Sequence, residues 1–165
     1  MDYFTLFMLP KKFRINKELL NNNFYKLQLQ FHPDLFINDC ESKKKWILEK
    51  SININKGYKT LKSSLNRSIY LLLLHGIEIN QKKLLSDNQF SLKKYFFLYE
   101  ELESLKINNN YNIIHLNDFS KKIENEIENC KNIIDCEFNN KNWNQIINTI
   151  SQLLFLKKIK KNLKT

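Results

Sequence analysis

Apolar side chains recur along most of this chain at the three- and four-residue intervals of one helix face. Leu20, Phe24, Leu27 and Phe31 stand at i, i+4, i+7 and i+11, which predicts a helix over Lys17–Phe31. Asn16 is placed to cap its first turn, and Glu18 suits the positive end of its dipole. Pro33 ends it, because the residue before a proline is pushed out of helical dihedrals. After a polar loop over Asn38–Ser42, a second stripe runs through Ile47, Ile54, Tyr58, Leu61 and Leu65. Two long helices joined by a polar loop predict an antiparallel hairpin. A short helix over Arg67–His75 follows, with Gly76 as the residue that closes it.

From Ile77 to Ser86 the pattern changes and predicts a connector. Beyond it, Leu92, Phe96, Tyr99 and Leu102 mark a helix over Asn88–Lys106. Past an Asn108–Asn110 linker, a longer stripe carries Phe119, Ile123, Ile127, Cys130, Ile134 and Phe138. Asn139 and Asn140 suggest a turn, and Trp143, Ile147, Ile150 and Leu154 mark the last helix. Three helices joined by short loops predict a small bundle. The expected fold is therefore all-α, with a helical-hairpin module over 1–76, a connector over 77–86 and a three-helix bundle over 87–165.

Composition narrows the reading. A chain of 165 residues has room for one domain or two small ones, and 42% hydrophobic with 13% aromatic residues excludes a disordered tail. The net charge of +10 invites a nucleic-acid reading, yet 25 of the 27 basic residues are Lys and only Arg14 and Arg67 are Arg. The planar fork that reads phosphates and guanines belongs to Arg. The chain has no Ala and no Val but abundant Lys, Asn, Ile, Phe and Tyr, a bias toward AT-rich codons that accounts for much of the charge. Lys43–Lys45 and Lys157–Lys161 read as solvated helix faces at least as well as a phosphate track. Through Gly76 there are 13 basic and 6 acidic residues (+7), and 14 and 11 (+3) thereafter.

Cys40, Cys130 and Cys136 form no paired framework and suit a reducing compartment. Met1-Asp2-Tyr3-Phe4 lacks the positive start of a signal peptide, and the longest apolar run, Ile69–Leu74, falls short of a membrane span. A cytoplasmic, membrane-free, monomeric protein is expected. Enzymatic chemistry finds little support. His32 and Asp34 lack a nucleophile and a third orienting group, His75 and His115 stand alone, and Cys130 and Cys136 fall on different helix faces. Neither a catalytic site, a metal nor a cofactor is expected.

The tripeptide His32-Pro33-Asp34 carries the inference. Proline locks one dihedral and denies its neighbour the helical one, so His and Asp are held in a defined, exposed loop. As a mere helix stop with polar flanks it would be a rare coincidence in a chain with three His and two Pro. A His-Pro-Asp loop between antiparallel helices resembles the J-domains, which stimulate ATP hydrolysis by DnaK-type chaperones. Met1-Asp2-Tyr3-Phe4-Thr5-Leu6-Phe7, Leu9-Pro10, Phe31-His32-Pro33-Asp34, Ile54-Asn55, Thr60-Leu61, Arg67, Tyr70-Leu71-Leu72 and Leu74-His75-Gly76 are similar to the HscB family of iron–sulfur co-chaperones. Glu100-Glu101-Leu102, Trp143 and Leu154-Phe155-Leu156 extend the resemblance, more sparsely, into the second module.

That resemblance implies a two-ended adaptor. His32, Pro33 and Asp34, with Lys26 nearby, would dock on an HscA/DnaK-type ATPase. A bundle patch of Leu92, Phe96, Glu100 and Phe155 would hold the IscU-type scaffold on which the cluster is built. The chain departs from the family at both ends. Asn23, Leu29 and Leu35 stand where the family's docking helix and loop are usually basic, and Lys93, Phe97 and Ser104 alter the bundle patch. No cysteine zinc site precedes the hairpin, as in the bacterial form. The basic excess of the first module suits an acidic groove on the ATPase. A J-domain co-chaperone serving other clients is the alternative, and a basic helical nucleic-acid-binding protein is a more distant one.

Overall fold

The computed structural model describes residues 1–80, 84, 89–107 and 112–163, all helix, turn or loop, with no strand among them. They form two compact units, Met1–Leu71 and Leu72–Thr165. Of the expected connector, residues 81–83, 85 and 86 lie outside the described set. So do Asn88 and the Asn108–Asn110 linker.

The first unit opens with a turn of helix that periodicity does not reveal, α1 (Tyr3–Leu6), capped by Asp2. It is followed by α2 (Lys17–Phe31), a 3-10 turn (Pro33–Phe36), α3 (Glu41–Lys62) and the start of α4 (Ser64–Leu74). Helix α2 has the predicted bounds, and the Asn16 side chain accepts from the Leu19 amide at 3.0 Å. The hairpin is antiparallel. Tyr58 donates to Asn21 at 2.9 Å and stacks on Phe24 at 3.8 Å, while Asn55 meets Gln28 and Trp46 meets Phe31. Gly57 lets α1 lie directly on α3, since a β-carbon there would stand 2.8 Å from Tyr3. Tyr3 also donates its amide to the Tyr70 hydroxyl at 3.0 Å and stacks on that ring.

The boundary between α3 and α4 differs from the expectation. Leu65 does not continue α3 but belongs to α4, because Ser63 breaks the helix in an extended conformation and its hydroxyl accepts from the Asn66 amide. Arg67 fixes that break. Its guanidinium is buried with no carboxylate partner among the described residues, and it donates to the carbonyls of Leu61 and Phe13, the first an orphan at the end of α3. Burial, reinforced by Arg14, pushes its pKa down to about 10.

Helix α4 carries the chain into the second unit and closes at Gly76, as expected. There φ is +79°, and the amides of Gly76 and Ile77 bond back to Leu73 and Leu72. Among the described residues three long helices follow, α5 (Gln89–Ile107), α6 (Asn112–Asn140) and α7 (Trp143–Leu163). Leu102, Ile123, Ile134, Ile146, Ile150 and Ile159 are fully shielded at their centre. Lys94–Glu126 and Lys122–Glu101 cross between α5 and α6, and Lys160–Glu124 between α7 and α6. Helix α6 runs through Asn139 and Asn140, and the reversal falls one residue later at Lys141, whose φ is +55°. His75 packs against Trp143 at 4.9 Å, and Ser151 donates to the Leu84 carbonyl at 3.0 Å. No helix among the described residues is long and apolar enough to cross a membrane.

Candidate docking surfaces

The His-Pro-Asp turn sits where the α2 backbone leaves helical dihedrals. His32 is at once the last cap of α2 and the first cap of the 3-10 turn, extended at φ −71° and ψ 128° as its proline neighbour requires. Its ring is exposed, and Nδ1 accepts from the Asp34 amide at 3.3 Å. In a neutral ring that bond makes Nδ1 the acceptor and Nε2 the N–H donor. The Asp34 carboxylate lies 3.7 Å from the same Nδ1 and is exposed. Pairing with it needs Nδ1 protonated, so the amide bond and the ion pair exclude each other.

Both sides of the turn are anchored on α3. Phe31 meets Trp46 edge-on at 6.0 Å, with the Lys50 ammonium over both rings. Phe36 lies under Lys43, which also pairs with Asp39 at 2.9 Å. The 3-10 turn packs against α3 with Pro33 half-buried, while His32 and Asp34 stay exposed. Lys26 is exposed on α2. Asn23 is half-buried, and its amide donates to the Phe7 carbonyl at 2.8 Å, tying α2 to the turn after α1. Tyr25, which the sequence reading passed over, is exposed on the same helix face as Leu29 and His32. Its i, i+4, i+7 relation to them was the available signal.

The second surface lies on α5. Leu92 is half-buried, Phe96 is 56% exposed and Glu100 is exposed, at i, i+4 and i+8. Phe97, beside them, is 71% exposed. Phe155 does not belong to the accessible patch as expected. It is only 5% exposed on α7, with its ring 4.9 Å from that of Tyr95 on the inner side of α5. Cys130 is buried and Cys136 exposed. Among the described residues, no three His, Cys, Asp or Glu side chains gather to hold a metal.

A helical hairpin turning at His-Pro-Asp, followed by a three-helix bundle, is the architecture of a J-domain co-chaperone. Residues 92–164 match the family model described as the HSCB C-terminal oligomerisation domain. Over 164 residues the chain is 57% identical to the co-chaperone protein HscB of Buchnera aphidicola subsp. Acyrthosiphon pisum (strain Tuc7), covering 99% of this chain and 94% of the relative. The solved structure of chaperone HscB from Vibrio cholerae superposes with a TM-score of 0.90 at 32% identity, over 99% of this chain and 96% of that one. Human co-chaperone HscB shares the fold at a TM-score of 0.87 and 24% identity, over 99% and 81% of the two chains. The chain belongs to the HscB family of co-chaperones.

Proposed function

We propose that this protein stimulates ATP hydrolysis by an HscA/DnaK-type chaperone while delivering to it an IscU-type scaffold for iron–sulfur cluster maturation. The observation that carries the reading is the His-Pro-Asp turn at the end of α2, flanked by Phe31 and Phe36 on their α3 partners, with His32 and Asp34 exposed. His32, Pro33 and Asp34 contact the ATPase, with Lys26 alongside. The Nε2 proton of His32 and the carboxylate of Asp34 offer one donor and one acceptor in fixed relation. Chemistry stays with the ATPase, and this chain contributes binding energy and position. On α5, Leu92, Phe96 and Glu100 receive the scaffold, and Phe155 holds α5 in place behind them. Both activities belong to a cytoplasm that keeps Cys40 and Cys136 reduced.

The test is single-turnover ATP hydrolysis by the cognate chaperone, with wild type and with His32→Gln. Substitution removes both the Nδ1 acceptor and the Nε2 proton. Stimulation is expected to fall to the level of the chaperone alone, with the helical content unchanged because the side chain is exposed. Equal stimulation by the two proteins would refute the assigned role of the turn.

A further inference from the structure

The face of α2 that leads into the His-Pro-Asp turn is clad in hydrocarbon. Tyr25 and Leu29, at i and i+4 with His32 at i+7, are 64% and 58% exposed. Just past the turn, Leu35 and Ile37 are each 64% exposed. The other side of α2 is already satisfied inside the hairpin by Phe24 on Tyr58 and Gln28 on Asn55, so these four side chains are not waiting for an internal partner. Scattered single apolar residues on a surface carry no message. Four that flank one loop within residues 25–37 form a concentration of the kind that marks a contact site.

The charge map points the same way. From Leu19 to Asn38 the only Lys, Arg, Asp or Glu residues are Lys26 and Asp34, which cancel. The +7 of the first 76 residues comes from elsewhere. Seven lysines (Lys43, Lys44, Lys45, Lys50, Lys56, Lys59 and Lys62) lie on α3, and Lys11, Lys12, Arg14 and Lys17 lie at or before the start of α2. A surface with almost no net charge gains little from Coulomb attraction, which salt would in any case screen. It gains from removing apolar area from water.

We infer that this chain seats on its ATPase partner through an apolar contact made by Tyr25, Leu29, Leu35 and Ile37, against a matching apolar groove, with Lys26 and Asp34 fixing register. The occupant is the ATPase because the face is continuous with the His-Pro-Asp turn. The inference therefore rests on the function proposed above. Basic residues on α3 speed encounter but do not hold the complex.

The experiment titrates the full chain into single-turnover reactions of the cognate chaperone, at about 50 mM and about 500 mM salt, where screening lengths differ severalfold. The half-saturating concentration is expected to change less than about threefold with salt. Leu29→Asn is expected to raise it about tenfold or more, as the loss of one buried leucine implies. Lys59→Gln, on α3 far from the turn, is expected to change it less than about threefold. Leu29 is exposed, and thermal melts of the variant check that its fold is intact. Steep weakening by salt together with indifference to Leu29→Asn overturns the apolar contact while leaving His32-dependent stimulation standing. Absence of stimulation by wild type at either salt overturns both readings. A wild-type dimer in sedimentation that Leu29→Asn dissolves would assign the face to a second copy and overturn the inference as well.

Discussion

A single carboxylate, Asp2, fastens the beginning of the chain. It accepts from the Thr5 amide and hydroxyl, each at 3.0 Å, and pairs with Lys11 at 2.8 Å. Desolvation pushes this carboxyl up, but the bonds from Lys11 and Thr5 together outweigh it and bring it down to about 2, against 3.8 for a free carboxyl. A group whose folded value lies below its unfolded one favours the folded state above the unfolded pKa. That contribution disappears as pH falls toward the folded pKa. In urea melts, Asp2→Asn keeps a capping side chain and loses the charge. Wild type should exceed it by on the order of 1 kcal/mol near neutral pH. The difference should shrink between the two pKa values, 3.8 and about 2. A difference undiminished at the acid end of the series would place its origin outside the Asp2 carboxyl.

Three helix ends among the described residues close through one device with unequal residues, the first being α1, where Met8 at φ +52° and Leu9 return their amides to Thr5 and Phe4. After α4 the left-handed position holds Gly76. After α6 it holds Lys141 at φ +55°, with the Lys141 and Asn142 amides returning to Phe138 and Glu137. A β-carbon in that region costs roughly 1–2 kcal/mol. Lys141→Gly is therefore expected to stabilise the second unit by about 1 kcal/mol, seen as a Tm higher by about 4–8 °C. A lowered Tm would mean that the lysine stem contributes more packing than its exposure indicates. Features like these divide what was legible in the sequence from what was not. The α2 stripe, its Asn16 cap and the Gly76 stop are local, and each depends on residues within a turn or two. The break at Ser63 depends on Arg67 reaching the Phe13 carbonyl, across 54 positions of sequence, so periodicity carried Leu65 past it. Helix α1 is too short to show a period and depends on Gly57 for room. The His-Pro-Asp turn was legible because proline geometry is local. The burial of Phe155 was not legible because Leu153, Phe155 and Leu156 are all buried on α7, leaving no single apolar face from which to tell core from surface.

At the scale of the whole molecule, the two candidate surfaces fall in different compact units, the turn in Met1–Leu71 and the α5 patch in Leu72–Thr165. Substitutions in one should leave the other intact. Phe96 and Phe97 are exposed, so Phe96→Ser with Phe97→Ser is expected to weaken scaffold binding about tenfold or more at little cost to folding. Unaided stimulation of the ATPase should not change. His32→Gln should show the converse, with full scaffold affinity and no stimulation. An adaptor works because one molecule holds both partners, which turns their meeting into an intramolecular event at high effective concentration. Mixing the two variants supplies every surface, but on separate chains, and so restores no such proximity. Scaffold-dependent hydrolysis by the equimolar mixture should therefore stay near the level of either variant alone. Recovery of wild-type rates by the mixture would show that the surfaces need not share a chain, and the adaptor reading would give way to two independent binding functions.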